Sequence, residues 1–197
     1  MSENLIALLA SPVILLVVRE VYKDVRAWIK VKRDKKPFKK AFLDISQIYQ
    51  EMNNLMVSVN AGRVLLLRSH NGGGKPTIGK PLYSTAEYEV YQSGTISVKD
   101  NWKGEPLDES YIRMLSRLQE QNELILKLGK IEDGLPKRVY FHGHVLASKI
   151  YKIHEDEKSF YYLSINFNMP KDIEDPNFSE VCRPFITRIK ALFNDKG

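Results

Sequence analysis

The sequence predicts an α+β fold in which a central antiparallel sheet is flanked by helices at both ends of the domain. Three observations support this prediction. Short apolar runs rich in strand-forming residues recur through the middle of the chain. Glycine, proline and small polar clusters separate these runs. Apolar residues at helical spacing lie before the first run and after the last one.

The first half of the domain is predicted to hold one helix and three strands. Apolar residues at every third or fourth position predict the helix over Phe38–Val59. Strands are predicted at Arg63–Ser69 and Tyr83–Tyr91, with a glycine-rich loop, His70–Lys80, between them. A third, short strand is predicted at Thr95–Val98.

The second half begins with a helix for which Asp108 is the expected N-cap residue. A strand is predicted at Leu124–Leu128. The apolar stretch Val139–Ile153 is predicted as strand, with Gly143 marking a bend or the junction of two strands. Phe160–Phe167 is the closing strand of the predicted sheet.

The last predicted helix runs over Asn177–Phe193 and is capped near Asp175. Pro184 lies inside it and predicts a kink or a helix in two pieces. The polar residues His154–Lys158 are expected to form a hairpin turn before the closing strand.

An apolar run, Leu5–Val18, precedes a basic segment, Arg19–Lys40. The basic segment has ten Lys/Arg residues and three acids, a net charge of +7, whereas the whole chain carries +6. The positive charge is therefore a local feature. An apolar helix with a basic flank predicts a membrane anchor that binds anionic lipid, with the following domain in the cytoplasm.

The predicted anchor is short, because fourteen apolar residues span about 21 Å and a hydrocarbon core is about 30 Å thick. Long basic side chains at its end could snorkel and extend the span. Alternatively, the run is a helix buried in a soluble oligomer or a virion assembly. The residues predicted to contact lipid are Leu5, Leu8, Leu9, Val13, Leu16, Arg19, Lys23, Arg26 and Lys30.

Apolar residues spaced alternately three and four apart from Leu15 to Ile29 resemble a coiled-coil seam. They predict a homo-oligomer formed through the N-terminal helix, or a helix face lying on lipid headgroups. Nucleic acid is not an expected partner, because few aromatic residues besides Trp28 lie among the basic residues and the segment adjoins an apolar run. Lipid phosphate is therefore the expected anion. The DKKP sequence at Asp34–Pro37 predicts a boundary between an N-terminal helix, residues 1–36, and a globular domain, residues 37–197.

The predicted order of elements resembles that of GAF/PAS-type sensor domains. More narrowly, the segment RVLLLRSHNGGGKPTIGKPLYSTAEYEV, residues 63–90, is similar to phage-encoded GAF-like proteins, which have a strand, a His-Asn-Gly-Gly loop and an aromatic-Glu strand. The resemblance covers residues 38–195. It implies a GAF-like antiparallel sheet beside packed terminal helices, and it implies a fold more than an activity. The cyclic-nucleotide signature of some GAF domains, NKxnFx₃DE, is absent from the sequence.

The glycine-rich loop is a candidate site for a small polar or phosphorylated ligand. Consecutive glycines adopt positive φ at little cost, so their N–H groups can converge on an anion. Two acids spaced two apart in the next strand are expected on one face of the sheet. Alternatively, the loop merely joins two strands. The candidate residues are His70, Asn71, Gly72, Gly73, Gly74, Lys75, Glu87 and Glu89.

The sequence predicts no catalytic residue, metal site or cofactor. A P-loop would need a glycine in place of Ser69 and a hydroxyl in place of Pro76. His142 and His144 are too few for a metal site. Cys182 has apolar neighbours on a helix, so it is expected in the core.

We therefore expect a membrane-tethered, non-enzymatic GAF-like protein that senses a small ligand or docks a protein partner from the cytoplasm. The resemblance implies that it is phage-encoded, so the expected membrane is the inner membrane of a bacterial host. The alternative is a phage virion or assembly protein whose N-terminal helix drives oligomerisation or inserts into the host envelope. A sensor should pellet with lipid as a monomer or dimer. An assembly protein should form large oligomers without lipid.

Overall fold

The computed structural model describes residues 19–25, 37–102 and 106–194. Contacts divide the chain into two units, Met1–Ile45 and Ser46–Gly197. In the first unit, residues 19–25 are helical and exposed, and Lys23 Nζ lies 2.7 Å from Glu20 Oε1. The predicted apolar anchor lies outside the described residues, as does most of the predicted coiled-coil seam. Within the part of the chain that is described, no helix is long and apolar enough to span a membrane.

The second unit holds an α+β domain. Its elements, together with the helix that leads into it, are α1 (Pro37–Val59), β1 (Arg63–His70), β2 (Tyr83–Tyr91), a 3₁₀ turn (Lys99–Trp102), α2 (Glu109–Gln121), β3 (Glu123–Lys127), a second 3₁₀ turn (Leu128–Lys130), α3 (Leu135–His142), β4 (Ala147–Glu155), β5 (Ser159–Phe167) and α4 (Pro176–Asn194).

The five strands form one sheet in the order β2-β1-β5-β4-β3, and every neighbouring pair is antiparallel. Three of these pairs, β1–β2, β3–β4 and β4–β5, join consecutive strands of the chain, whereas β1–β5 joins the first strand to the last. The central strand β5 is almost wholly buried, because β1 and β4 pair with its two edges and helices cover both faces of the sheet. Its mostly apolar and aromatic composition agrees with that burial, and its buried serines and Asn166 are the polar exceptions.

Side chains alternate between the two sheet faces, so the sheet separates two hydrophobic cores. One core lies against α1 and α4, and we call this the α1/α4 face. It includes Met52, Leu55, Leu163, Cys182 and Ile189, each 0 % exposed. The other core lies beneath α2 and α3, and we call this the α2/α3 face. Its members include Leu65, Leu67, Tyr111, Leu118, Tyr140 and Tyr162.

Asp108 ties the start of α2 to the start of α3. Its Oδ1 accepts hydrogen bonds from the Tyr111 backbone N–H at 2.9 Å and from Ser110 Oγ at 2.7 Å, and its Oδ2 accepts from the Leu135 N–H at 2.5 Å. Burial alone would raise the pKa of Asp108, but these hydrogen bonds and the charge of Arg138 lower it. The sequence-based N-cap prediction is confirmed.

Most of the predicted elements are present within a few residues of their predicted bounds. The strand prediction for Val139–Ile153 is wrong over its first part, because residues 135–142 form α3 and β4 begins at Ala147. Pro136 lies in the first turn of α3, where a missing N–H costs nothing. The predicted strand at Thr95–Val98 is also absent, and that segment is an irregular connection into a 3₁₀ turn. Helix α4 continues through Pro184.

Candidate ligand-binding site

The interior of the α2/α3 face contains a small cavity of about 20 Å³, room for about one water molecule. Strands supply one wall and the two covering helices supply the other. The lining is mixed, because charged, hydroxyl and amide groups lie among the apolar side chains. The lining residues are Arg63, Leu65, Leu67, Val98, Trp102, Tyr111, Met114, Val139, Tyr140, Val145, Ile150, Tyr162, Ser164 and Asn166.

A buried ion pair stands at one end of this cavity. Arg63 Nε lies 3.0 Å from Glu89 Oε1, and their side chains are 2 % and 3 % exposed. Both residues come from neighbouring strands, β1 and β2. Burial lowers the pKa of Arg63, and the charge of Glu89 opposes that shift. Two charges this deep are stable only when each has its partner and further hydrogen bonds.

The connection after β2 supplies those further hydrogen bonds. Glu89 Oε1 accepts from the Val98 N–H at 2.9 Å, and Glu89 Oε2 accepts from the Lys99 N–H at 3.3 Å and from the Ser97 hydroxyl. Arg63 donates from Nη2 to the Ile96 carbonyl. The ion pair therefore holds residues 96–99 against the sheet, and this segment forms one edge of the cavity.

A chain of four hydroxyls crosses the sheet beside the cavity. Tyr111 and Tyr162 hydroxyls lie 2.8 Å apart, Tyr162 bonds to Ser84, and Ser84 Oγ lies 3.0 Å from Ser69 Oγ. Burial raises the pKa of both tyrosines, so both remain neutral donors and acceptors. Each hydroxyl can both donate and accept, so the chain can reverse direction when one end gains a new partner.

Two further polar groups belong to this interior. Asn166 Oδ1 accepts from Ser148 Oγ at 2.6 Å and from Ser164 Oγ at 2.7 Å. Trp102 is 7 % exposed, and its indole N–H has no acceptor among the described residues. Its ring meets the Tyr111 ring edge-to-face at 5.6 Å. An unsatisfied buried donor costs free energy, so an acceptor that reached this N–H would be bound favourably.

The predicted loop site has a different character. Residues 71–82 connect β1 to β2, and most of their side chains are exposed. Gly72 and Gly73 have positive φ of 83° and 111°, as the sequence suggested. The Gly72 N–H donates to His70 Nδ1 at 3.1 Å, so this N–H already has an acceptor within the loop.

The remaining contacts join the loop to itself, to β2 and to the β4–β5 turn. Asn71 Nδ2 donates to the Lys75 carbonyl, His70 Nε2 bonds to Thr85 Oγ1 at 2.9 Å, and Lys75 Nζ pairs with Glu157 at 2.6 Å. Burial and the charge of Arg68 lower the pKa of His70. These contacts are the ones expected of a hairpin connection. Ligand binding at the loop stays a prediction.

The prediction that Glu87 and Glu89 share one face is wrong. The pairing of β1 with β2 shifts at Leu66/Leu67, and Glu87 is the extra residue of a β-bulge. Glu89 consequently pairs with Arg63 inside the α2/α3 face, whereas Glu87 pairs with Arg68 at 2.6 Å on the opposite face. Only Glu89 lies near the cavity.

Other predicted residues have these positions. Cys182 is buried in the α1/α4 core, and burial raises its pKa to about 11. His142 ends α3 and His144 lies in the following turn with φ 52°, so they are not neighbours on a strand. Arg19 and Lys23 are on the described helical segment, and the other predicted lipid-contact residues lie outside the described residues.

The comparisons with known proteins concern the fold. No protein-family model matches the chain, and no curated protein sequence matches it. Among solved structures, a far-red cyanobacteriochrome photoreceptor is similar with a TM-score of 0.59 and 13 % identity, covering 92 % of this chain and 97 % of that one. The GAF domain of a two-component sensor histidine kinase from Bacillus halodurans gives 0.54 and 12 %, covering 76 % and 92 %.

A third similar structure is the phycoerythrobilin-bound GAF domain of a cyanobacterial phytochrome, with a TM-score of 0.51 and 11 % identity over 79 % of this chain and 92 % of that one. The chain therefore has a GAF-like fold, and the predicted α+β class with its GAF-like sheet and flanking helices is confirmed. The resemblance to phage-encoded proteins stays a prediction.

Sequence reasoning missed the cavity and its ion pair. Glu89 is among the candidate ligand residues of the sequence, whereas Arg63 is predicted only as the first residue of a strand. A charged residue opening an otherwise apolar strand run, with an acid on the neighbouring predicted strand, was the available clue. The bulge that brings Glu89 to the same face had no signature in the residues around it.

Proposed function

We propose that the chain is a non-enzymatic sensing module that binds a small polar ligand inside the α2/α3 face. The observation that carries the proposal is the buried Arg63–Glu89 pair at the edge of a cavity whose walls also hold hydroxyl and amide groups. A core needed only for stability gains little from burying such charges, since apolar residues of similar volume are often at least as stabilising. The likeness of the fold to sensor GAF domains supports the same proposal.

The ligand enters by displacing the covering elements. The closed cavity has room for about one water, so a ligand the size of a bilin does not fit it as it stands. Helices α2 and α3 and residues 96–99 form the movable cover. A carboxylate or phosphate on the ligand would compete with Glu89 for Arg63, and an acceptor would satisfy the Trp102 N–H.

Ligand binding would be transmitted through the sheet. Strands β1 and β5 place cavity residues on one face and α1/α4 core residues on the other, as Leu65 and Leu66 illustrate. A shift of these strands would change the packing of α4 and of residues 46–59 of α1. In a tethered protein, that change would pass into the N-terminal helix and its predicted seam.

A ligand screen by thermal unfolding tests the cavity. Val139 lines the cavity from α3, and Val139→Phe would fill it. Val181→Phe adds the same volume at an exposed site on α4 and serves as the control. A true ligand should raise the unfolding temperature of the wild type and of the control, but not of Val139→Phe. A compound that stabilises all three proteins equally would place its binding outside the cavity and contradict the proposal.

We further propose that residues 1–36 tether this module to the bacterial inner membrane, with the domain in the cytoplasm, and that the protein is phage-encoded. The support is the sequence alone: an apolar run followed by a segment of net charge +7. Alkaline-carbonate fractionation of the full chain beside a 37–197 truncation tests the tether. Retention of the full chain alone in the membrane pellet agrees with it. A released full chain that forms large, lipid-independent complexes would instead support the virion or assembly alternative.

A further inference from the structure

A second pocket, separate from the interior cavity, opens at the surface between α2 and the segment that leads into α3. Its volume is about 130 Å³. Arg113 and Arg117, four residues apart on α2, line one part of it, and Lys130 lines another. Apolar side chains, among them Met114 and Leu126, supply the rest of the wall.

The charge of this lining is unbalanced. Three basic side chains and one acid, Glu132, give a formal net charge of +2. Arg113 is the one cation that is fully engaged: its Nη2 lies 2.8 Å from Glu132 Oε2, and its Nη1 bonds to Glu109. These two bonds hold the Arg113 side chain along the rim.

The other two cations keep free hydrogen-bonding capacity. Arg117 has no hydrogen-bond or ion-pair partner among the described residues. Lys130 is near Glu174, but the Glu174 carboxylate bonds to Lys127 at 2.9 Å. One guanidinium and one ammonium of this lining therefore have no carboxylate within ion-pair distance among the described residues, since Glu132 pairs with Arg113.

We propose that this pocket binds a small oxyanion, meaning a phosphate or carboxylate group on a compact body with some apolar surface. The planar guanidinium of Arg117 can bond two oxygens of such a group at once, and Lys130 can supply a second positive charge. The volume is well below the roughly 300–1,000 Å³ of sites for drug-sized ligands. It suits inorganic phosphate or a short phosphorylated or carboxylated metabolite.

A bound oxyanion would link α2 to the turn that precedes α3. Helix α2 covers the interior cavity, and the turn leads into α3, which also covers it, so the anion would hold the cover closed and stabilise the domain. The anion site does not depend on the proposed interior ligand, and either can fail while the other stands.

Thermal unfolding of the full chain in sodium phosphate tests the proposal, with sodium chloride at equal ionic strength as the reference. Phosphate should raise the unfolding temperature beyond the chloride value. Arg117→Gln and Lys130→Gln should each weaken the apparent phosphate affinity about tenfold, the effect of losing one charge-assisted hydrogen bond. Both residues are exposed, so neither variant should impair folding.

Arg183→Gln is the matched control, because it removes the same charge from an exposed position on α4. It should leave the phosphate affinity unchanged. Equal stabilisation by chloride and phosphate would overturn the proposal, since only ionic screening would then be at work. An equal loss of affinity in Arg183→Gln would also overturn it, because net charge and not the pocket would then set the binding.

Discussion

The buried ion pair makes a sharp prediction about stability. Replacing Glu89 by alanine leaves the Arg63 guanidinium 2 % exposed without its anion, and it also removes the acceptor of two backbone N–H groups. Removing one partner of a buried pair costs about 3–5 kcal/mol. For a domain of this size, each kcal/mol lowers the unfolding temperature by about 2–4 °C, so a loss of roughly 6–20 °C is expected.

Strand β2 supplies its own control. Glu87 makes the same kind of arginine–carboxylate pair two residues earlier, but its side chain and that of Arg68 are 31 % and 35 % exposed. Solvent screens such a pair, and its removal by Glu87→Ala should cost about 0–1 kcal/mol. Urea unfolding of both variants, followed by circular dichroism, measures the two costs on one strand.

A double variant separates the pair from its surroundings. Arg63→Met with Glu89→Leu removes both charges and keeps apolar volume, so it should recover much of the stability that Glu89→Ala loses. If Glu89→Ala unfolds no more easily than Glu87→Ala, the pair is not desolvated as described, and the assignment of the cavity as a polar site loses its basis.

Three further predictions concern other parts of the domain. Because the pKa of Asp108 is lowered in the folded protein, the ionised carboxylate stabilises the fold fully above its ordinary pKa, and this stabilisation is lost as the pH falls through the lowered value. Urea unfolding from pH 6 to 2 should therefore show a smaller decrease in the free energy of unfolding for Asp108→Asn than for the wild type. Gly134→Ala should lower the free energy of unfolding by about 1–3 kcal/mol, because φ is +149° and a Cβ would lie 2.2 Å from Ser110 Oγ. The control Gly129→Ala, where a Cβ would meet open space, should lower it by about 0.5 kcal/mol or less in the same assay. Cys182 should react with a thiol reagent about a hundredfold or more slowly in the folded protein than in denaturant, and a fast folded-state reaction would contradict its burial.

Local signals predicted most of the sheet. The β5 strand is rich in aromatic and branched strand-forming residues, and Asp108 is a strong N-cap residue placed before a helical apolar stripe. Local chemistry and tertiary structure agree at both places. Strand β2 was predicted with the bounds that it has, Tyr83–Tyr91. In these cases one physical requirement, burial of one face, dominates the pattern.

Helix α3 shows where such reasoning failed. Its sequence, LPKRVYFH, holds β-branched and aromatic residues, and eight residues give too few turns for a helical period to be recognised. Contacts with the α2/α3 core decide its conformation, since Leu135 and Tyr140 are buried there. Propensity is a weak signal when tertiary packing opposes it.

The candidate site was less predictable than the fold. The glycine-rich loop stood out in the sequence because three consecutive glycines are unusual. In the structure, however, its polar groups form hydrogen bonds with one another. The cavity residues come from β1, α2, α3, β4, β5 and the connections between elements, and they form no local motif. A site assembled from distant segments is specified by topology, and a single sequence carries little information about topology.

The bulge in β2 has a consequence for how this strand can change in length. In most central strands, losing one residue turns every following side chain to the wrong face. Here the pairs on both sides of Glu87 already match β1 without it, since Leu66 faces Tyr88 and Leu67 faces Ala86. A chain lacking Glu87 alone would keep a regular ladder and leave Arg68 without its carboxylate at the surface. Loss of Ala86 instead would bring the Glu87 carboxylate into the core, so this sheet tolerates a deletion at one position and not at its neighbour.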